Sequence, residues 1–215
     1  MSSHKRASDY PGDPIYLDHN ATTPVAPEAV DAMLPLFREG FGNPSSSHVY
    51  GQRARRALEG ARAQVAALLG CEADEVLFTS GGTEANNLAL RGAAEARPER
   101  RHLVTSAVEH PATLEPCREL GRRGWRLDVV GVGPDGRVLV DELAACVSDE
   151  TGLVSLMHAN NETGTVQPVR EAADAAKRRG ALTHTDAAQS VGKLRVDVNE
   201  LGVDLLPIAG HKVQA

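Results

Sequence analysis

Short runs rich in valine, leucine and threonine alternate with amphipathic helical segments along most of this chain. The predicted strands are residues 75–79, 102–106, 126–130, 151–157, 182–186 and 204–208. The predicted helices are residues 27–37, 52–69, 83–96, 111–121, 140–146 and 168–179. Strands separated by helices pair in parallel, because each helix carries the chain back along the sheet. The sequence therefore predicts an α/β fold, with a mostly parallel sheet covered by helices on both faces.

Composition and charge narrow the classes of function. The chain has 23 basic and 29 acidic residues, a net charge of −6, which argues against a nucleic-acid surface. No apolar run approaches the length that crosses a membrane, and no hydrophobic signal core follows the basic N-terminus. The three cysteines lack metal-type spacing, which is typical of reduced thiols in the cytoplasm. Residues 1–14 are predicted to form a flexible lead-in, and residues 15–215 one domain.

The eight histidines do not indicate a metal site. No two of them have the i, i+4 spacing of a helical zinc site. His184 is expected to point to the sheet face opposite to Asp186, so these two are not expected to share a ligand. The sequence predicts no metal.

A glycine-containing segment joins the predicted strand at 75–79 to the helix that follows. Gly81 and Gly82 let backbone amides approach an anion, Thr83 adds a hydroxyl, and the helix N-terminus adds positive potential. The alternative is an ordinary glycine turn with Thr83 as the N-cap. Spacing alone supports phosphate binding and the simple turn equally.

Other polar residues lie where predicted strands end, which is where parallel α/β sheets bind ligands. His110 could stack on a ring or move protons, or it could simply begin a helix. Asn161 lies among consecutive amides that could bind a carboxylate or a phenolic oxygen, or cap their own turn. Asp186 ends an apolar strand, with Gln189 close behind, and is either a site residue or a helix N-cap. Taken singly, His110 and Asn161 favour the structural alternative.

Lys212 follows Gly210 and His211 after the last predicted strand. A lysine amine can form a Schiff base with the aldehyde of pyridoxal phosphate (PLP). The Asp186 carboxylate can pair with the pyridine nitrogen and keep the ring an electron sink. On its own, a lysine is more often a solvated surface residue.

Together these segments resemble the cysteine desulfurase and selenocysteine lyase family, a branch of the class V aminotransferase group of fold-type-I PLP enzymes. The matching stretches run in family order and are residues 16–24, 42–46, 78–87, 108–110, 158–164, 184–192 and 210–212. Several of these are weak motifs alone, but their combination in this order is specific. The resemblance implies the PLP-binding large domain of such an enzyme.

The resemblance implies a role for each candidate residue. Lys212 would carry the cofactor and abstract the substrate Cα proton, while His110 would stack on the ring and assist proton transfer. Asp186 would pair with the ring nitrogen and Gln189 with the phenolic oxygen. The phosphate would be held by Gly82, Thr83 and His211, with Gly210 also at the cofactor, and Asn161 would lie beside the phenolic oxygen and the substrate carboxylate.

The implied reaction removes sulfur from L-cysteine and gives L-alanine and an enzyme-bound persulfide. Three alternatives stay open: a lyase acting on L-selenocysteine, another class V enzyme such as an aminotransferase or kynureninase-like hydrolase, and a non-catalytic fragment. The resemblance also implies a homodimer in the full-length form, a sulfur-acceptor protein and a place in iron–sulfur cluster biogenesis.

The sequence departs from the family pattern in two ways. Ala209 stands where many desulfurases have a phosphate-binding serine, which resembles the selenocysteine-lyase-like subgroup. Family members are also longer, so the large domain is expected to be incomplete at its C-terminus and to lack the loop with the nucleophilic cysteine. No catalytic role is assigned to Cys71, Cys117 or Cys146, and the chain alone is expected to be a poor catalyst.

Overall fold

The structure, a computed structural model, describes residues 14–215. Except for Pro14, the predicted lead-in lies outside the described residues. The described chain forms two compact units, residues 14–61 with Gly210–Ala215 and, separately, Arg62–Ala209. The division into a lead-in and one domain stays a prediction.

The first unit contains helix α1 and the beginning of helix α2. These helices are α1 (Pro27–Arg38) and α2 (Val49–Leu69), which confirm the two helices predicted there. A proline lies in the first turn of α1, where a missing N–H removes no helical hydrogen bond. Gly51 of α2 is a packing requirement, because a Cβ there would clash with the carbonyl oxygens of Asn43 and Ser46.

Four parallel strands in the order β2-β1-β3-β4 form the sheet of the second unit. The strands are β1 (His102–Ser106), β2 (Arg126–Val130), β3 (Thr151–Ser155) and β4 (Leu182–His184). All four were predicted, although β3 and β4 each end two residues earlier than expected. The mostly parallel sheet predicted from the sequence is confirmed.

Helices cover both faces of this sheet. They are α3 (Gly82–Ala96), α4 (Pro111–Arg122), α5 (Val140–Cys146), α6 (Val169–Arg178) and the short α7 (Val198–Leu201). Leu103 and Leu153 pack with Leu90 on the face covered by α3 and α4. Their neighbours Val104 and Val154 point to the other face, which α5 and α6 cover. Adjacent strand residues thus serve two cores, as the pleat of a strand requires.

The predicted strand at 75–79 is not a strand. A short 3₁₀ turn, Ala73–Glu75, precedes an extended segment in which Leu77 is 67% exposed and Phe78 is 45% exposed. A strand needs the hydrogen bonds of a neighbouring strand, and among residues 14–215 none of the strand pairs or bridges includes residues 75–79. β propensity alone therefore misled the prediction at this segment.

The predicted strand at 204–208 is reduced to a single bridge. Leu205 pairs in parallel with His184 of β4. Further along, the Ala187 N–H donates to the Pro207 carbonyl at 3.0 Å. Pro207 has no N–H to return to the neighbouring chain, so the ladder ends there.

Candidate cofactor-binding site

The candidate residues of the second unit gather at the carboxyl edge of the sheet. Asp186 follows β4 and is buried, with 6% of the residue exposed. Its Oδ2 accepts a hydrogen bond from Asn86 Nδ2 at 2.9 Å, and its Oδ1 accepts one from the Ala188 N–H at 2.9 Å. The His158 N–H donates to the Asp186 carbonyl at 2.9 Å. The carboxylate is therefore fixed in position and direction.

Asp186 also lacks a cation. Within the part of the chain that the structure describes, no lysine, arginine or protonated histidine forms an ion pair with it. A buried carboxylate without a positive partner is unfavourable, so such groups usually pair with one. A protonated pyridine nitrogen has the right charge and hydrogen-bonding character, so the residue fits the PLP ring.

Asn86 joins three elements around this carboxylate. The residue is 1% exposed, and its Nδ2 donates to Gly82 O at 3.0 Å as well as to Asp186. Its Oδ1 accepts from Thr113 Oγ1 at 3.3 Å. The sequence analysis missed Asn86, although its position four residues before the buried Leu90 places an amide on the apolar stripe of α3. That spacing was the available signal.

The start of α3 presents free helical amides at the same edge. The N-cap is Gly81, and it makes no side-chain capping hydrogen bond. The alternative reading of Thr83 as the N-cap is therefore wrong, since Thr83 lies inside the first turn. Glu84 Oε2 accepts from the Ser80 N–H at 2.6 Å, and hydrogen bonds from Ser80 lower the pKa of Glu84. The N–H groups of Gly82 and Thr83 face the helix N-terminus, a position that favours anions.

Ala209 borders this helix start. An added Cβ at Gly82 would lie 3.5 Å from the Ala209 Cβ, and Ala209 is buried. Position 209 is thus beside the amides that are predicted to hold phosphate. The alanine at this position contributes no hydroxyl to that group.

His110 begins α4 as its N-cap. Its Nδ1 accepts a hydrogen bond from the Ala112 N–H at 3.1 Å, so a neutral His110 ring carries its proton on Nε2. His110 and Thr83 both line a groove of about 440 Å³ between α3 and α4. The alternative that His110 simply begins a helix agrees with its N-cap position, and its ring is also accessible. Its catalytic role stays a prediction.

Glu109, the residue before His110, was not predicted as part of the site. It is 7% exposed, and its Oε1 accepts from Ser106 Oγ at 2.7 Å and from the Met157 N–H at 2.8 Å. Its Oε2 has no hydrogen-bond partner among residues 14–215. Burial raises the pKa of Glu109 to about 8, against the effect of these two hydrogen bonds and with help from the nearby Asp186 charge. Glu109 is therefore a neutral acid at pH 7.

His184 and Asp186 share a sheet face, so the expectation that they point to opposite faces is wrong. Residues two apart in a strand lie on the same side. Burial lowers the pKa of His184 to about 4, and the Asp186 charge opposes that shift. His184 Nδ1 lies 2.8 Å from Ser155 Oγ, so the ring is a neutral structural neighbour of Asp186.

Gln189 lies in the turn that follows Asp186. It is 8% exposed, and its Oε1 accepts from Lys193 Nζ at 2.9 Å. The next residue, Ser190, places its Oγ 2.9 Å from His158 Nδ1. The amide of Gln189 is held by this turn, and its contact with a phenolic oxygen stays a prediction.

Asn160 and Asn161, the two amide residues after β3, make different contacts. Asn160 Oδ1 accepts from the N–H groups of Glu162 and Thr163 at 2.9 and 3.0 Å, and its Nδ2 donates to Val108 O at 3.1 Å. Asn160 therefore caps its own turn, as the alternative reading expected. Asn161 Nδ2 donates to Glu162 Oε1 at 2.7 Å on the exposed side. The cofactor role of Asn161 stays a prediction.

Lys212 belongs to the first unit, in a 3₁₀ turn, Gly210–Lys212. The backbone N–H and the Oγ1 of Thr23 both donate to His211 O at 2.9 Å. His211 Nδ1 lies 3.1 Å from Thr22 Oγ1. Two stretches of the family resemblance, distant in sequence, therefore hold each other in place. The pairing of Lys212 with Asp186 through one cofactor stays a prediction.

The cysteines are free thiols without the features of an activated nucleophile. Burial, together with Glu109, raises the pKa of Cys117 to about 12. Burial also raises the pKa values of Cys71 and Cys146. A nucleophilic cysteine has a lowered pKa in an accessible, positive environment, which none of these three has.

No cluster of three or more His, Cys, Asp or Glu side chains within residues 14–215 could hold a metal ion. None of the helices in that range is both long enough and apolar enough to span a membrane.

A parallel sheet with a helix start and a buried carboxylate at its carboxyl edge is an arrangement in which α/β proteins bind ligands. The sequence profile of the aminotransferase class-V family matches residues 15–215, and the chain belongs to that family.

Within the family, the chain is similar to cysteine desulfurases, which confirms the resemblance. A cysteine desulfurase of Trichormus azollae is 47% identical over 201 residues, covering 94% of this chain and 50% of the relative. A solved NifS-like protein superposes with a TM-score of 0.90 at 38% identity, covering 94% of this chain and 56% of the other. The solved structure titled SspA in complex with cysteine gives a TM-score of 0.87 at 38% identity, with 93% and 58% covered. The chain spans about half the length of the curated relatives it matches.

Proposed function

We propose that this chain is the PLP-binding part of a cysteine desulfurase, which removes sulfur from L-cysteine and gives L-alanine and an enzyme-bound persulfide. The observation that carries the proposal is Asp186, a buried carboxylate that accepts two hydrogen bonds and has no cationic partner among residues 14–215. The similarity to cysteine desulfurases and to a solved structure with bound cysteine supports L-cysteine as the substrate.

The residues of the chain divide the binding of PLP between them. Asp186 faces the ring nitrogen, and the first turn of α3, with Thr83, binds the phosphate. Gln189 and Asn161 lie at the phenolic oxygen. His211 and Gly210, which precede Lys212 in the sequence, are the other residues that bind the cofactor. When bound, PLP supplies an electron sink that makes the substrate Cα proton more acidic.

Proton transfer is the work of Lys212 and His110. The Lys212 amine would hold the cofactor aldehyde and would accept the Cα proton of the substrate. His110 stacks on the ring with its proton on Nε2, because Nδ1 is occupied by the Ala112 N–H. Glu109 stays neutral beside Asp186, so the ring nitrogen meets one charged carboxylate rather than two.

The thiol that takes the sulfur and the proteins that interact with this chain are also part of the proposed function. The persulfide forms on a cysteine other than Cys71, Cys117 and Cys146, whose raised pKa values leave them as poor nucleophiles. For that reason we expect this chain alone to bind PLP but to turn over L-cysteine slowly. We further propose a cytoplasmic homodimer that passes sulfur to an acceptor protein for iron–sulfur cluster biogenesis, which the resemblance and the free thiols support.

A second candidate is a selenocysteine lyase. It is favoured by Ala209, which lies against Gly82 at the proposed phosphate site without the serine hydroxyl of many desulfurases. Release of selenide from L-selenocysteine, compared with release of sulfide from L-cysteine and with the same thiol reductant in both assays, separates the two substrates. A predominance of selenide would replace the first candidate by the second.

The proposed function is tested by titrating the purified chain with PLP. We expect the absorption band of lysine-bound PLP to form in the parent chain and in Lys177→Ala, whose lysine is exposed. The band should be lost in Lys212→Ala. The proposal fails if the parent chain gives no band, or if Lys212→Ala keeps it.

A further inference from the structure

Asn86 and its neighbour Asn87 make the same helical contact but differ in a second one. Each donates from Nδ2 to the carbonyl oxygen four residues earlier, Gly82 O at 3.0 Å and Thr83 O at 2.9 Å respectively. Asn86 also donates to Asp186 Oδ2 at 2.9 Å. The contact with the helix start is thus common to both amides, and the contact with the carboxylate distinguishes Asn86.

The amide of Asn86 is held in one orientation. Thr113 Oγ1 donates to Asn86 Oδ1 at 3.3 Å, and Thr113 is fully buried. If the amide were flipped, Asn86 Oδ1 would face the Asp186 carboxylate and Gly82 O. All three oxygens are hydrogen-bond acceptors, so both hydrogen bonds would be lost. With only 1% of Asn86 exposed, water does not substitute for these contacts.

The two donors to Asp186 come from different sources. The Ala188 N–H belongs to the same turn as Asp186 and moves with it. Asn86 belongs to α3, whose first turn is the proposed phosphate site. Asn86 therefore ties the direction of the Asp186 carboxylate to the helix that binds the other end of the cofactor.

We propose that Asn86 is a positioning residue for Asp186, which keeps the carboxylate turned toward the ring nitrogen and at a fixed distance from the start of α3. Because Asp186 acts on PLP only if the proposed function holds, this role rests on that function. Hydrogen bonds to charged groups are stronger than neutral ones, so losing this one should weaken PLP binding by about 10- to 100-fold.

The test compares Asn86→Ala with Asn87→Ala as the matched control. Asn87 lines the groove between α3 and α4 and makes the same contact with the helix, but it does not touch Asp186 in the structure. The first readout is the NMR signal of the Ala188 N–H in the cofactor-free chain, since that group reports the position of the Asp186 carboxylate. The second is the ¹⁵N shift of the ring nitrogen in bound, labelled PLP.

We expect Asn86→Ala to move the Ala188 signal, to lower protonation of the ring nitrogen and to weaken PLP binding. Asn87→Ala should leave the Ala188 signal and the protonation of the ring nitrogen unchanged. The role is overturned if the Ala188 signal is the same in Asn86→Ala as in the parent, or if Asn87→Ala moves it equally. If the parent chain binds no PLP, the proposed function fails, and the Ala188 readout alone decides whether Asn86 positions Asp186.

Thr113→Val provides a second route to the same answer, should Asn86→Ala fold poorly. It removes the hydroxyl that orients the Asn86 amide and keeps the shape of the side chain. We expect the same change in the Ala188 signal with a smaller size, at most a few-fold loss of PLP affinity. An unchanged Ala188 signal in a folded Thr113→Val chain would contradict the proposed orientation of Asn86.

Discussion

Each end of the parallel sheet has a buried histidine near a carboxylate. Only at the amino end do neighbouring side chains give every nitrogen of the histidine ring a hydrogen-bond partner. At the amino end, His102 is 1% exposed and its Nε2 lies 3.0 Å from Asp128 Oδ2. Its Nδ1 lies 2.8 Å from Thr151 Oγ1 and 2.9 Å from a nitrogen of the Arg126 guanidinium. Every polar atom of that ring has a partner.

The carboxyl end is different. Four buried side-chain atoms among the described residues have no hydrogen-bond partner, and all four lie at or just beyond the carboxyl halves of β1 and β4. They are Thr105 Oγ1, Glu109 Oε2, His184 Nε2 and Thr185 Oγ1. Asp186, at the same end, accepts hydrogen bonds but has no cationic partner in the described part of the chain. Buried polar groups are normally satisfied, so a local concentration of exceptions marks a place shaped by something other than stability.

Within one sheet, the amino end has a structural role and the carboxyl end has the features of a ligand site. The His102 cluster is a finished network that holds the amino ends of β1, β2 and β3 together. The Asp186 cluster is well fixed but electrostatically incomplete, which is what a site for a charged ligand requires. Changes at the two ends should therefore have opposite consequences for stability and for cofactor binding.

The largest effect is expected from Asp186→Asn. The change removes the charge that faces the ring nitrogen, and breaking a buried charge pair costs about 3–5 kcal/mol, so PLP affinity should fall by about 100-fold or more. Asp128→Asn, the matched change at the amino end, should leave PLP affinity unaltered. Equilibrium titration of both variants makes the measurement, and parent-like affinity in Asp186→Asn would remove the distinction between the two ends.

A pH effect of intermediate size is expected from Glu109. Burial raises its pKa in the folded chain to about 8 from an ordinary value of 4.5, so the folded state holds a proton that the unfolded state has lost. The stability from this group is complete below pH 4.5 and is lost as the pH rises through 8. Between pH 6.5 and 8 the free energy of unfolding should fall by at most about 2 kcal/mol.

Glu109→Gln should remove that decline, while the exposed control Glu95→Gln should keep it. The pKa values of the buried His102, His158 and His184 are lowered from 6.5, so these histidines add a rise in stability at the lower end of the window. The parent and Glu109→Gln share them, so the difference between the two slopes belongs to Glu109. Denaturant unfolding of the cofactor-free chain at several pH values gives the slopes. Equal slopes in the parent and Glu109→Gln would show that Glu109 is ionised in the folded chain.

A smaller gain is expected from Ala209→Ser. Position 209 lies beside Gly82 at the start of α3, so a serine hydroxyl there can donate to a bound phosphate. One added hydrogen bond contributes about 0.5–1.5 kcal/mol, which corresponds to about a 2- to 10-fold gain in PLP affinity. Ala188→Ser, a change of the same kind outside the helix start, serves as the control. Weaker binding by Ala209→Ser would place the phosphate elsewhere.

The smallest effect is expected at the amino end itself. Asp128→Asn removes the charge beside His102, but the Asp128 side chain is 36% exposed, so the pair is partly screened. The free energy of unfolding should fall by about 0.5–1 kcal/mol, while PLP affinity should stay at the parent value. Thermal unfolding of the cofactor-free variant and PLP titration make the two measurements, and a loss of PLP affinity without a loss of stability would contradict the structural role of the amino end.

Much of this arrangement could be predicted from the sequence, because periodicity and turn residues are local signals. The alternation of strands and helices placed β1, β2 and α5 at their observed bounds. The errors were tertiary: residues 75–79 have strand propensity but no neighbouring strand, and Pro207 interrupts the pairing of an otherwise strand-like segment. Pro207 is a local signal that argued against a full strand, whereas the missing neighbour of residues 75–79 is not visible in a short window of sequence.

The site was only partly predictable for the same reason. Asp186 follows a strand and the start of α3 follows a pair of glycines, and both are local signals in the sequence. Asn86 and Glu109 are ordinary polar residues until burial is known, and their importance comes from contacts with distant segments. The error over His184 was one of simple alternation, since residues two apart in a strand share a face.

The central claim is that Asp186 receives the ring nitrogen of PLP, and a crystal structure of this chain with PLP tests it most directly. The account predicts the ring nitrogen within hydrogen-bond distance of the Asp186 carboxylate, the phosphate at the first turn of α3 and the cofactor joined to Lys212. A bound cofactor whose ring nitrogen lies away from Asp186 would contradict the account.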